Sequence, residues 1–248
     1  MEKDTLLQKR TVLRFEGDRS FWVEDTLLQE AIYTLIVDGE TITEFRCLPD
    51  NLVQLALGFC YGRGYLQDRG QAADIRVDPA AGEIHVRRRQ IDGRSSLEGS
   101  FRGSARKETS GTGEHTLRPA QIYALWDEFN AACTLFRRTG AAHSCALADS
   151  QTVLIFMEDV ARHNALDKVI GDMLNRGIDP VGKVLIFSGR LARDMVEKVV
   201  PLGVKILMAP GAPTEAAVCL AEQSDLTLAG FVRQDRMNVY THWRRITS

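Results

Sequence analysis

The chain has no CxxC pair, no apolar run near the roughly 20 residues a membrane-spanning helix needs, and almost no net charge. Each absence excludes something. The five cysteines, Cys47, Cys60, Cys133, Cys145 and Cys219, are odd in number and scattered through 248 residues. That pattern excludes a disulfide framework and points to a reducing compartment. The start, MEKDTLLQKR, has no apolar core of a secretory signal. A cytoplasmic location away from membranes is therefore expected. A formal net charge of −2 gives no global field for nucleic acid or lipid, so any basic site must be local. A chain this long buries roughly 70–75% of its unfolded surface and needs no covalent or metal staple.

Several chemical signatures are also missing. There is no GxSxG nucleophile elbow, no HxE with PCxxC for zinc-dependent deamination, and no strand-to-helix GxGxxG. The stretch GIDPVGKV, Gly177 to Val184, has phosphate-loop spacing. It lacks the hydroxyl after Lys183 and runs into a strand, whereas the mechanism needs a following helix. His143 and Cys145 stand two apart without a second ligand pair, so no metal site is expected.

What is present divides into two halves. Residues 1–105 read as a small α+β domain. A hairpin turns at Asp38-Gly39, a helix starts near Asp50 or Asn51, and DIRVDPAAGEIHVRRRQ gives two strands around a Pro/Gly turn. Residues 106–118 read as a glycine-rich loop. Arg87, Arg88, Arg89, Arg94, Arg102, Arg106 and Lys107 gather around it. They fit either a solvated strand edge with a charged loop or a docking surface for an acidic partner or anionic ligand. Residues 119–248 read as α/β. Ile122, Leu125, Trp126, Phe129 and Ala132 recur at helical spacing. The strands TVLIF, KVLIFS, VKILMA and LTLAGFV then alternate with amphipathic helices, which predicts a largely parallel sheet covered on both faces.

In such sheets ligands bind beyond the carboxyl ends of the strands, where free helix N–H groups favour anions. Glu158, Asp159, Arg162, His163 and Asn164 follow the first strand. Ser188, Gly189 and Arg190 follow the second, Pro210 to Thr214 the third, and Arg233, Gln234, Asp235 and Arg236 the last. Converging, these loops would form one crevice for a phosphate- or pyrophosphate-bearing ligand. Plainer roles compete. Asn164, Ser188 and Thr214 are good helix N-caps, worth about 1 kcal/mol each. His163 fits a hydrogen-bonded structural histidine, and Asp167 and Lys168 fit ordinary helix-surface charges. Cys145 beside His143 could be an activated thiolate or a small buried hydrophobe.

Read together, EDVARHNALDKVIG, SGR, APT and LAGFVRQDRMNVYTH, in this order, resemble the formate dehydrogenase accessory sulfurtransferase family (FdhD). TGAAHSCAL, QEAIYTLIVDGETI and LPDNLVQLALGFCYGRGYL are similar to further segments of it, so the likeness spans nearly the whole chain. The resemblance implies a cytidine-deaminase-like fold without zinc in the second half. It implies a sulfur carrier that moves persulfide sulfur from a cysteine desulfurase to the bis(molybdopterin guanine dinucleotide) molybdenum cofactor of formate dehydrogenase, with guanine nucleotides as mimics of that ligand. It also implies a homodimer. The family's cofactor-binding stretch matches Phe231, Val232, Arg233, Gln234, Asp235 and Arg236. Arg162, His163, Asn164, Lys168, Ser188, Arg190 and Thr214 would complete the site. Two positions depart from the family. Thr112, in TSGTG, stands where the sulfur-carrying cysteine belongs, and a hydroxyl cannot hold a persulfide. Either Cys145 or another thiol then substitutes, or the protein is a cofactor-binding chaperone without transfer chemistry. Ala161 replaces a glycine before Arg162, which would alter a turn needing positive φ. An unrelated nucleotide-using α/β enzyme is the third reading.

Overall fold

The computed structural model describes residues 3–89 and 116–247. Thr112 and the linker residues Arg94, Arg102, Arg106 and Lys107 lie outside them. After a 3₁₀ turn at Lys3–Leu6, strands β1 (Leu7–Glu16) and β2 (Arg19–Leu28) pair as an isolated antiparallel ribbon. Strands β3 (Ala31–Val37) and β4 (Glu40–Cys47) form the expected hairpin. Its two turn residues, Asp38 and Gly39, have φ of 51° and 89°, the left-handed pair that a two-residue hairpin turn requires. The Asp38 carboxylate accepts hydrogen bonds from the Arg88 backbone and guanidinium at 2.8 and 2.6 Å.

Helix α1 (Leu52–Gly62) crosses from this hairpin to strands β5 (Ala72–Asp78) and β6 (Glu83–Arg88), completing a four-stranded sheet ordered β4-β3-β6-β5. Asn51 precedes α1 as expected, but in a left-handed conformation and without a side-chain cap bond. One side of α1, including Leu52, Leu55, Ala56 and Cys60, packs on Leu35, Val37, Ile84 and Val86 of the sheet.

The second half contains α2 (Pro119–Ala132), α3 (Thr134–Thr139), β7 (His143–Ala148), β8 (Val153–Asp159), α4 (Arg162–Asn175), β9 (Val184–Phe187), α5 (Arg193–Val199), β10 (Ile206–Met208), α6 (Glu215–Gln223), β11 (Thr227–Gly230) and β12 (Asn238–Val239). The sheet order is β12-β11-β10-β9-β7-β8. Only β9/β10 and β10/β11 pair in parallel; β7/β8, β7/β9 and β11/β12 are antiparallel. The expected mostly parallel sheet is therefore mixed. The cause is HSCALA, read above only for its histidine and cysteine, which inserts as β7 between β8 and β9. Since β7 opposes both neighbours, β8 still runs in the same direction as β9, β10 and β11.

Alternation along the strands separates two buried layers. Leu147, Leu185, Leu207 and Leu228 face Ala165, Val169, Val196 and Ala217 of α4, α5 and α6. Ala146, Ile186, Met208 and Ala229 face Ile122, Leu125 and Phe129 of α2. A fully buried aliphatic chain of this kind contributes about 1.5–3 kcal/mol. Helix α4 packs on the sheet with one side and on α1 with the other, joining the two halves. Among the described residues no helix is long and apolar enough to cross a membrane.

Candidate functional site at the carboxyl edge of the sheet

The shared direction of β8, β9, β10 and β11 puts their outgoing loops along one edge. The loops after β9, β10 and β11 are laced by backbone bonds. Leu191 N donates to Ala212 O at 3.1 Å, Thr214 N to Leu191 O at 3.0 Å, Phe231 N to Gly211 O at 3.3 Å and Val232 N to Ala209 O at 3.1 Å. The lacing needs glycine at 211, where a Cβ would lie 2.5 Å from the Gly189 carbonyl oxygen. Ser188 and Ser144 tie β9 to β7, with Ser144 N donating to Ser188 Oγ at 2.9 Å and Ser188 N to Ser144 O at 3.0 Å.

At the start of α4, Arg162 and His163 meet a residue that sequence reasoning missed. Asp194, in the first turn of α5, accepts from Arg162 Nη2 at 2.7 Å and lies 3.0 Å from His163 Nε2. Asp194 looks in sequence like any first-turn helix acid; only the packing of α5 beside α4 reveals it. Three buried atoms of this trio, Arg162 Nε, His163 Nδ1 and Asp194 Oδ1, have no protein hydrogen-bond partner among the described residues, and neither has Ser144 Oγ. Buried polar atoms are normally satisfied, so these atoms are open to water or a ligand. Burial pushes the Asp194 carboxyl up, but the hydrogen bond and charge of Arg162, with His163, outweigh it and hold the group below its ordinary value. Burial lowers the imidazole of His163, and Lys198 and Arg162 lower it further against Asp194. Burial and Arg162 likewise lower His143. Neutral His163 therefore presents Nε2–H to the acceptor-only Asp194 carboxylate, leaving Nδ1 with a lone pair for a ligand N–H or O–H. Once protonated, the same nitrogen donates to an anion.

The 231–236 segment lies elsewhere on the edge. Phe231 is exposed with φ 52°, an uncommon conformation for an aromatic residue. Val232 turns into the α2 layer and is buried, so its side chain lines no ligand surface. Arg233 Nη1 donates to Pro210 O at 3.0 Å and to Val232 O at 2.7 Å. Arg233, Gln234, Asp235 and Arg236 line an open cleft of about 440 Å³ with Trp126 and Asn130 of α2. The expected single crevice is thus two patches, the Arg162–His163–Asp194 trio on the α4/α5 side and the 231–236 cleft on the α2 side. Arg190, after β9, is exposed.

Several expectations need correction. Lys168 is fully buried, not in a crevice and not on a surface. Its ammonium sits 2.7 Å from Asp159 and 2.6 Å from Asp50. Asp167 is buried too, against Lys198 at 2.8 Å. Asn164 does not cap α4, because the helix already starts at Arg162 behind Ala161. The buried Asn164 amide instead donates to Arg46 O at 2.7 Å and Asp159 Oδ1 at 3.0 Å. Ser188 does not cap α5, which begins five residues later behind Ala192. Thr214 does cap α6, accepting from Ala217 N at 3.3 Å. Ala161 has φ −114°, so no glycine is required there. Cys145 is buried, and burial pushes its thiol far above its ordinary value; it packs as a small hydrophobe and is no thiolate. Burial pushes Cys47 and Cys60 up to about 12, and Cys133 is buried. Cys219 on α6 is the one exposed thiol of the five, and a hydrogen bond to Glu215 raises it. Among the described residues no group of His, Cys, Asp and Glu side chains is placed to hold a metal ion.

The sequence profile of the FdhD/NarQ family matches residues 28–247. The chain belongs to the FdhD/NarQ family. It is 31% identical over 261 aligned positions to the sulfur carrier protein FdhD of Staphylococcus aureus strain MRSA252, covering 99% of this chain and 98% of that one. The same figures hold for the FdhD of strain JH9. A crystal structure of a candidate formate dehydrogenase accessory protein from Desulfotalea psychrophila superposes with a TM-score of 0.82 at 25% identity, covering 98% of this chain and all of that one. The family profile begins at the last residue of β2, so both edge patches lie within it, while the relatives align over nearly the whole chain, the β1–β2 ribbon included.

Proposed function

We propose that this chain binds the bis(molybdopterin guanine dinucleotide) molybdenum cofactor as cargo in the cytoplasm and presents it for formate dehydrogenase maturation. The observation that carries the reading is the trio of unpartnered buried atoms, Arg162 Nε, His163 Nδ1 and Asp194 Oδ1, at the start of α4. A guanidinium, a tunable imidazole and the free N–H groups of a 14-residue helix suit a phosphate, while Nδ1 and Oδ1 accept hydrogen bonds from a pterin or sugar. The 231–236 cleft, with Arg233 and Arg236, offers a second basic surface. A ligand with two dinucleotide arms supplies both chemistries.

Sulfur carriage from a cysteine desulfurase is the second reading, and the naming of the relatives favours it. The thiols set its terms. Four are buried, three of these have strongly raised pKa values or burial to match, and Thr112 cannot carry sulfur. Cys219 is the thiol left to accept a persulfide. Calorimetry with guanosine diphosphate tests the binding reading: saturable binding, preferred over adenosine diphosphate and weakened by Arg162→Ala or Arg233→Ala, is expected, and binding indifferent to both substitutions sinks it. Incubation with a cysteine desulfurase and cysteine, followed by mass spectrometry, tests transfer. Sulfur on none of the five cysteines leaves the cofactor-binding role alone. Homodimer formation belongs to the same reading.

A further inference from the structure

We infer that His143 is a fourth side chain of the α4 patch, and that His143 and His163 together make it a proton-coupled phosphate site. Each imidazole takes a proton from solvent as an anionic ligand arrives and returns it as the ligand leaves. The strand sets the placement of His143. Alternation along β7 sends Cys145 and Leu147 into the layer shared with α4 and Ala146 and Ala148 into the layer shared with α2. His143, two residues before Cys145, therefore lies on the α4 side. It pairs in register with Asp159, the last residue of β8, and Arg162 opens α4 three residues later. Because β7 runs against β8 and β9, its first residue stands at the edge where their outgoing loops gather. The ring is half-buried, and the Arg162 guanidinium is near enough to disfavour its protonation.

Charge balance sets the role. His143 faces Arg162 of α4 and Asp159 of β8; His163 faces Arg162 and, from α5, Asp194 and Lys198. The fixed charges among these are already matched. Arg162 pairs with Asp194 at 2.7 Å, Lys198 with the buried Asp167 at 2.8 Å, and Asp159 with Lys168 at 2.7 Å. With both imidazoles neutral, the patch holds no surplus positive charge. A phosphate dianion would bring two negative charges into a partly desolvated place, where uncompensated charge is costly. The two imidazoles can supply the compensation, because a nearby anion favours their charged form. A site built on unpaired arginines would grip phosphate at any pH. This one grips by taking up protons, so its hold loosens as protons become scarce.

This inference rests on the α4 patch being a ligand site, as in the proposed function. Calorimetry of the full chain with guanosine diphosphate at pH 7, in buffers of different ionisation enthalpy, counts the protons taken up on binding. The ligand's own titration is common to every chain and cancels in the differences. The wild type is expected to take up as many as about two protons more than His143→Gln/His163→Gln, with each single variant between them. A histidine that only supported the fold would change affinity and leave the proton count alone. Uptake by His143→Gln equal to that of the wild type overturns the role of His143 and leaves the patch standing. Binding that is absent, or indifferent to Arg162→Ala, overturns the patch as a ligand site and this inference with it. Should His143→Gln not fold, the ring resonances of the five histidines in the wild type are followed by NMR against pH. Two that titrate at higher pH in the presence of guanosine diphosphate are expected, and one or none overturns the proposal.

Discussion

Gly58 of α1 and Gly171 of α4 each face the other helix's backbone with no room for a side chain. A Cβ on Gly58 would lie 1.8 Å from the Asp167 carbonyl oxygen, and one on Gly171 would lie 1.9 Å from that of Gln54. This contact joins the hairpin half to the half that carries the ligand patches. Gly58→Ala or Gly171→Ala must push the helices apart, at a cost on the order of 2–4 kcal/mol. Gly62→Ala is the control. It lies in the same helix with open space around it, and alanine there is neutral or slightly stabilising. Urea unfolding of the three variants checks the contrast.

Lys168 sets the second prediction. Its buried ammonium lies between Asp159 and Asp50, and Asp159 also accepts from Leu48 N at 3.2 Å and Ala161 N at 3.1 Å. Lys168→Met keeps the side-chain volume but strands a fully buried carboxylate, costing about 3–5 kcal/mol. Lys168→Met/Asp159→Asn removes both charges and recovers part of the loss. Equal denaturation midpoints for the single and double variants would contradict this account of the pair.

Much of this architecture is readable from the chain, for identifiable reasons. Asp38-Gly39 announces its hairpin because few residue pairs accept two left-handed conformations. The helices α2, α4 and α6 and the strands β8 to β11 follow from apolar periodicity, because each buries one face or both. HSCALA is harder. Its six residues are short and lack alternation, so nothing local distinguishes β7 from a turn leading into β8. The β1–β2 ribbon is silent for the opposite reason: neither face is buried within the monomer, and no period is imposed. Lys168 and Asn164 are not placed by local pattern because their partners Asp50 and Arg46 come from a segment more than 100 residues earlier. Helical spacing cannot foresee that α1 covers this side of α4. The Arg162–His163 pair stood out in sequence, while Asp194 became visible only once α5 was packed.

His143 and His163 make stability depend on pH. Burial first, then neighbouring cations, lowers both below the ordinary 6.5. In the unfolded chain they titrate near that value, so below it the unfolded state binds more protons. Stability is thus complete above about pH 6.5 and is lost as pH falls through the depressed folded values. Urea unfolding between pH 7.5 and 5 is expected to show this decline, and His143→Gln/His163→Gln to flatten it. An unchanged slope in the double variant would assign the decline to other groups.

Asp194 is a positioning residue for the α4 patch. Asp194→Asn keeps the shape but removes the charge that orders Arg162 and selects the His163 tautomer. Guanosine diphosphate binding is expected to weaken roughly tenfold, about 1.4 kcal/mol. The pH profile carries the discriminating signal. In the wild type an anionic ligand draws a proton onto His163, so affinity rises as pH drops below 6.5. Without Asp194 that rise is expected to diminish, which a purely structural loss would not produce.

Thr112 supplies the last prediction. A persulfide needs a thiolate that attacks the desulfurase-bound sulfur and keeps it, and a threonine hydroxyl does neither. The wild-type chain is therefore expected to take up no sulfur at position 112. Thr112→Cys puts a thiol at the position where the family resemblance places the sulfur carrier. After incubation with a cysteine desulfurase and cysteine, the variant should gain one sulfur on the peptide containing residue 112, removable by a reductant. None of the proposed ligand-binding residues is changed, so guanosine diphosphate affinity is expected to stay the same. Uptake on Cys219 instead, in wild type and variant alike, would place the sulfur on α6 and make the loop dispensable. No uptake by either chain would mean that the segment around 112 has lost more than its cysteine.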